Sequence, residues 1–368
     1  MNYAEFVYLG TNLMVNVLSG CYNIHMDKQP TNHHLVHLEA VKINNQPFVE
    51  KLKDKIAKVL EGDKNFQMSK ADFKKYFGYN DFSASPVLRQ GNIGDCNVIA
   101  CIHALSLSPF FEIICRTSMR RMEDGTWEVS LPLLGDKKTI ITISHDELSP
   151  ERNIKFLRRR SGRVLPDRRL KLRHIKAHEG YQALELAYIK ATHGKVDRLA
   201  ADEGGTEIDV FKSVLGDSFQ FLNFESSPHD SMGKITYRRT LSDLPSRQSE
   251  TLDFALENFN PDVNIAAVGT KPIDLNKLFG RVIEKTTGGH KYIVGGTSMR
   301  LSTGHAYSVT NVDKVNSMIT LSNPWDTSKS ILLTFSQFKS AFSSMTIAVV
   351  NCTKTSEYLD GLLYDIKV

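Results

Sequence analysis

The 368-residue chain is 41% hydrophobic and 24% charged, with a formal net charge of +5. These are ordinary values for a globular protein, and the length supports a sizeable core in about two packed units. They leave enzyme and binder both open, and they exclude a protein that holds nucleic acid by bulk charge alone.

Residues 1–82 read as an N-terminal extension of partly helical character. Its first stretch, MNYAEFVYLGTNLMVNVLSG, has no basic segment, carries Glu5 and is broken by polar residues before any run could span a bilayer. The expectation is a protein with no signal peptide and no transmembrane segment. The five cysteines form an odd set without short-range pairing, which argues for free thiols in a reducing, cytoplasmic compartment. Delivery into a host cell as a secreted effector leaves no compositional mark and stays open. Phe48, Val49, Leu52, Ile56, Val59 and Leu60 recur at helical spacing, predicting a helix over Pro47–Leu60, and a second short helix is expected near Ser69–Phe77.

After the break at Ser83–Pro86, CNVIACIHALSL (96–107) is apolar on nearly all sides, as a buried helix would be, and Pro109 ends it. Residues 127–134 and 138–144 read as strands, and Tyr181–Thr192 reads as an amphipathic helix. Between them, residues 155–176 hold ten Lys or Arg and one acid, Asp167. That segment is expected on the surface, as a solvated loop or as a dock for an acidic protein or an anionic surface. Nucleic acid is not favoured, because Phe156 is the one Phe, Tyr or Trp among these charges and they are not interleaved with aromatic rings. Residues 221–261 are polar and poorly periodic, predicting a long loop. Strands are then expected at 265–268, 292–295, 305–312, 318–321 and 331–335, a β-rich second half.

Three motifs carry chemistry. In QGNIGDC, Cys96 directly follows a glycine-containing turn and opens a buried helix, where unpaired N–H groups and the helix dipole favour a thiolate. Gly91 and Gly94 allow close approach of backbone or substrate, and Gln90 offers a side-chain N–H beside the Cys96 backbone N–H, two donors for a nascent oxyanion. In GHAYSV, His305 follows Gly304 and opens an apolar strand. In LSNPW, Asn323 lies 18 residues later (323 − 305), spaced for a hairpin in which its carbonyl meets the imidazole while Trp325 shields the contact. Cys21, Cys101, Cys115 and Cys352 are expected to be buried fillers, and His103, His193 and His290 structural.

Together, QGNIGDC, GHAYSV and SNPW resemble the calpain-like cysteine peptidases, with a looser match over ALELAYIKATHGKVDRLAADEGGTEIDVFKSVLG and LTFSQFKSAF. The resemblance implies an α+β, papain-like two-lobed fold, with Cys96 on a helical lobe (83–218) and His305 and Asn323 on a β-rich lobe (219–368). It further implies Cys96 as nucleophile, His305 as general base and acid, Asn323 as orienting residue, Gln90 as oxyanion donor, and limited cleavage of protein substrates. The sequence departs from the family at Asn97, where a tryptophan is usual, and at Asp326, where a glycine is usual. The Cys-to-His separation is also longer. Val87, Ser328 and Ser330 stand where calcium-dependent calpains carry acidic ligands, so no metal or other cofactor is expected. The same triad would serve an acyltransferase or transglutaminase, and a catalytically inactive binding module of the same fold is the remaining alternative.

Overall fold

A computed structural model describes residues 46–62, 65–78, 86–91, 94–131, 139–148, 153–154, 170–171, 175–193, 206–216, 219–226, 237–239, 256–257, 259–270, 285–286, 289–294, 297–302, 304–350 and 352–364. The described chain is mixed α and β. Helices α1 (Gln46–Glu61), α2 (Lys70–Phe77), α3 (Cys96–Ser106) and α4 (Phe110–Ser118) lead into an antiparallel meander of β1 (Met119–Arg121), β2 (Trp127–Leu131) and β3 (Thr139–Ile143). The one-turn α5 (His145–Leu148) follows. A two-strand pair of β4 (Asn153–Ile154) and β5 (Leu170–Lys171) precedes α6 (Glu179–His193) and α7 (Glu207–Leu215).

The C-terminal part is built on an antiparallel seven-stranded sheet in the order β14-β13-β12-β8-β15-β6-β7. Its members are β6 (Phe219–Ser226), β7 (Tyr237–Arg239), β8 (Asn264–Thr270), β12 (Ala306–Asp313), β13 (Met318–Asn323), β14 (Asp326–Thr334) and β15 (Phe342–Val350). A smaller sheet joins β9 (Lys285–Thr286), β10 (Gly289–Val294) and β11 (Thr297–Leu301), while α8 (Phe335–Ala341) and α9 (Cys352–Tyr364) flank β15 in sequence.

The expected helices and strands are present where described, and among the differences three bear on how α3 and the large sheet are built. Residues 219–226 are not loop but strand β6, registered along β15 from Phe219↔Val350 to Glu225↔Ser344. Of the polar residues that hid it, Asn223 is buried and accepts a hydrogen bond from Thr346 Oγ1 at 2.9 Å, so a polar group at that position does not break the strand. Pro109, expected only to end α3, also precedes α4 as its N-cap residue. Finally, β15 lies inside the sheet between β8 and β6, although its sequence, FSSMTIAVV, had marked no element. Most of the basic segment 155–176 lies outside the described residues. Among the described residues no single helix is long and apolar enough to cross a membrane.

The whole of α3 after its first residue is buried, from Asn97 to Ser106. It is covered by β12 and β8 on one side and by α4, α6 and α7 on the others, which explains why an 11-residue helix carries almost no polar face. Helix α2 is held by Ser69, whose Oγ accepts from the Asp72 N–H at 3.0 Å, and it stops at Gly78 with φ +68°. A side chain at Gly78 would also strike His178, since a Cβ there would lie 2.1 Å from its Nε2.

Arg116 fastens the α1–α2 connection to α4. Its side chain is fully buried, ion-paired with Glu112 at 3.1 Å, and it donates to the carbonyls of Met68 at 3.2 Å and Gly62 at 3.0 Å beneath the Phe66 ring. Replacing Arg116 by Met strands the Glu112 carboxylate in the core and should cost about 3–5 kcal/mol in urea denaturation, whereas a loss under about 1 kcal/mol would show that Glu112 finds water instead.

Candidate functional site

Three segments distant in sequence meet at the N-terminus of α3. The first is residues 86–91, which carry Gln90 and run between the sheet and α6. The Leu88 N–H donates to Thr327 Oγ1 at 2.8 Å, the Thr327 N–H returns to the Leu88 carbonyl at 3.1 Å, and the Gln90 N–H donates to the Pro324 carbonyl at 2.7 Å. On its other side the Lys176 N–H reaches the Arg89 carbonyl at 2.7 Å. Asp326 pairs with Arg89 Nε at 3.5 Å and accepts from Ser328 Oγ at 2.6 Å, tying the same segment to β14.

The second segment opens β12. Gly304, at φ +56°, makes the turn. His305 is then pinned through its backbone, its N–H donating to Thr270 Oγ1 at 2.9 Å and its carbonyl accepting from the Thr270 N–H at 2.9 Å.

The third is the β13–β14 hairpin. A register irregularity between Ser322 and Asn323 re-aims the Asn323 side chain, whose Oδ1 lies 2.9 Å from His305 Nε2. The same oxygen accepts the Trp325 backbone N–H at 3.0 Å, and because that group can only donate, the facing atom of Asn323 must be its oxygen. His305 therefore carries its proton on Nε2 and keeps the Nδ1 lone pair free. The Trp325 ring lies over the imidazole with centroids 4.6 Å apart, and the Tyr307 ring meets it edge-on at 5.0 Å.

The Cys96 sulfur is met by the backbone N–H groups of Ala306, the residue after His305, and of Asn97. The expected depression of the thiol by the helix terminus is overturned. Burial pushes the Cys96 thiol up, the negative charges of Asp95 and Glu207 push the same way, and the two N–H groups only partly offset them. Burial likewise lowers His305, with the Asn323 hydrogen bond opposing it. Burial thus works against charge on the thiol and on the imidazole alike.

Of the residues singled out in the sequence, Gln90, Cys96, His305, Asn323 and Trp325 converge, with Gly94 in the turn before α3 and Gly304 in the turn before β12. Asn97, next to Cys96, is buried, and its Nδ2 has no hydrogen-bond partner among the described residues. Three acids escaped notice: Asp95, Glu185 and Glu207. A signal existed for Glu185, a charged residue on the same helical stripe as the buried Tyr181 and Ile189, four positions to either side. Cys101 and Cys115 are buried thiols, as expected. Among the described residues no group of three or more His, Cys, Asp or Glu is arranged to hold a metal ion. The chain matches no protein-family model and no curated protein.

His103 locks α3 to β12, the strand that follows His305. It is fully buried, and its Nδ1 lies 2.6 Å from Ser308 Oγ on β12. Burial holds its pKa down, to about 4. Below the unfolded value near 6.5 the unfolded chain binds a proton that the folded chain refuses, so this contribution is complete above that pH and is lost as pH falls toward 4. Denaturation midpoints should show wild type losing about 3 kcal/mol more than His103→Gln across that window, and parallel profiles would mean that His103 titrates normally.

Proposed function

We propose that the protein is a calcium-independent thiol endopeptidase of the calpain-like class that makes limited cleavages in protein substrates. The observation that best supports this is the convergence of Cys96, with the Ala306 N–H at its sulfur, and His305, with Nε2 on Asn323 Oδ1 at 2.9 Å. A papain-like division into two lobes belongs to the same proposal, with α3, α4, α6 and α7 forming one and the seven-stranded sheet the other. The packing of α3 on β12 and β8 supports it, because that contact puts a helix terminus beside a strand start.

In the proposed reaction these groups take the following roles. His305 Nδ1 takes the Cys96 proton as the sulfur attacks the peptide carbonyl, and the carbonyl electron pair moves onto oxygen. Gln90 Nε2–H and the Cys96 backbone N–H, free at the first position of a helix, receive that oxyanion. Collapse breaks the C–N bond, His305 returns the proton to the departing amine, and water activated by the same imidazole then hydrolyses the thioester. Asn323 holds the imidazolium through Nε2, and the Trp325 ring keeps water from that bond.

Cys96→Ala and His305→Ala should each lower peptide turnover by at least about 10³-fold, with melting temperature little changed, and Asn323→Ala should fall less far. The readout is mass spectrometry of a proteome-derived peptide mixture incubated with each variant. Cleavage by Cys96→Ala at the wild-type rate ends the proposal. Chelating calcium should alter neither turnover nor melting temperature, since Val87, Ser328 and Ser330 supply no carboxylate; stabilisation by calcium but not magnesium would contradict it.

A further inference from the structure

Behind the nucleophile lie two carboxyl groups for which the hydrolytic reaction has no direct use. Asp95 and Glu185 are 1% and 0% exposed, and their side chains are hydrogen-bonded to each other. An ionised carboxylate only accepts hydrogen bonds, so two carboxyls can share one only if a proton remains on one of them. Their surroundings decide which. Glu185 sits in the middle of the buried α6, where burial and the Asp95 charge push its acid well above the usual carboxylate range. Its oxygens accept from the Ile175 N–H at 3.0 and 3.3 Å. Asp95 stands immediately before α3, where the helix dipole favours a negative charge, yet its side chain makes no cap bond to the helix. Instead Asp95 Oδ1 receives Gln90 Nε2–H at 3.2 Å.

We propose that protonated Glu185 and ionised Asp95 act as a pair of positioning residues that fix the Gln90 amide with its N–H side toward the oxyanion. An ionised Asp95 faces Gln90 as an acceptor only, so it binds the NH₂ end of the amide; one N–H is held by Asp95 and the second stays directed at the cleft. A neutral donor at position 95 would let the amide turn round and present Oε1, which repels an oxyanion. Glu185 supports the same residue by a second route, since Ile175 precedes Lys176, whose N–H holds the Arg89 carbonyl at 2.7 Å next to Gln90. The arrangement has a cost, because the Asp95 charge opposes formation of the Cys96 thiolate.

The role of the oxyanion rests on the hydrolytic proposal above, whereas the shared proton does not, and the test separates them. A dipeptidyl aldehyde with leucine side chains adds to the thiol. The S–C bond forms, the carbonyl π pair moves onto oxygen and the thiol proton passes to His305, so affinity reports the oxyanion donors. Iodoacetamide alkylates the same sulfur, losing iodide and the thiol proton, and forms no oxyanion. Asp95→Asn should weaken aldehyde binding by about 10²-fold without slowing alkylation. Glu185→Gln, which can donate to Asp95 and accept from Ile175, should bind the aldehyde much as wild type does, while Glu185→Ala falls with Asp95→Asn. Infrared spectroscopy of the wild-type chain at mildly alkaline pH should show a protonated carboxyl stretching band that Glu185→Gln removes, and this reading needs neither turnover nor aldehyde binding. Tight aldehyde binding by Asp95→Asn, equal losses in Glu185→Gln and Glu185→Ala, or absence of the band overturns the inference. A wild type that is alkylated and shows the band yet cleaves no peptide refutes the hydrolytic proposal alone.

Discussion

Everything at the site depends on the burial of α3. A helix with ten consecutive buried residues cannot sit at a surface, so the sheet and three other helices close around it, and the helix end at Cys96 is forced against the strand start at Ala306. The His103–Ser308 hydrogen bond sets the rotation and slide of the helix on β12, because a buried donor and acceptor must find each other or lose about 1–3 kcal/mol apiece. The reactive geometry is in this sense a by-product of core packing, and changes in the core two turns away would be felt at the sulfur.

Residues 86–91 are the second constraint. They hydrogen-bond to β14, to the Asn323–Trp325 turn and to the backbone at Lys176, so Gln90 is held by the sheet and by the α6 side together. The Arg89–Asp326 ion pair adds little free energy, since the Arg89 side chain is 55% exposed and screened by water. Its contribution is direction, keeping residues 86–91 registered against β14.

The electrostatics run against the simplest expectation. A cysteine at a helix N-terminus is expected to ionise readily, yet here desolvation outweighs the dipole and two nearby carboxylates add to it. Desolvation opposes the imidazolium as well, so each group alone prefers neutrality while the pair, once a proton has passed, forms two adjacent opposite charges in a medium that strengthens their attraction.

Much of this was legible in the chain. The short-range signals were strong: the apolar run after Cys96, the glycines before Cys96 and His305, and the 18-residue hairpin spacing to Asn323. Each of these follows from local stereochemistry or periodicity, which a sequence records directly. Strand β6 was missed in part because the polar Asn223 in it is satisfied by Thr346, more than a hundred positions away, and β15 because nothing near it announces its place inside the sheet. The partnership of Asp95 with Glu185 and the upward shift of the Cys96 thiol were likewise invisible. Sequence determined which groups stand at helix and strand ends; only the tertiary structure decided how deeply they are buried and which charges they face, because desolvation and Coulomb interactions depend on distances that close when remote segments pack together.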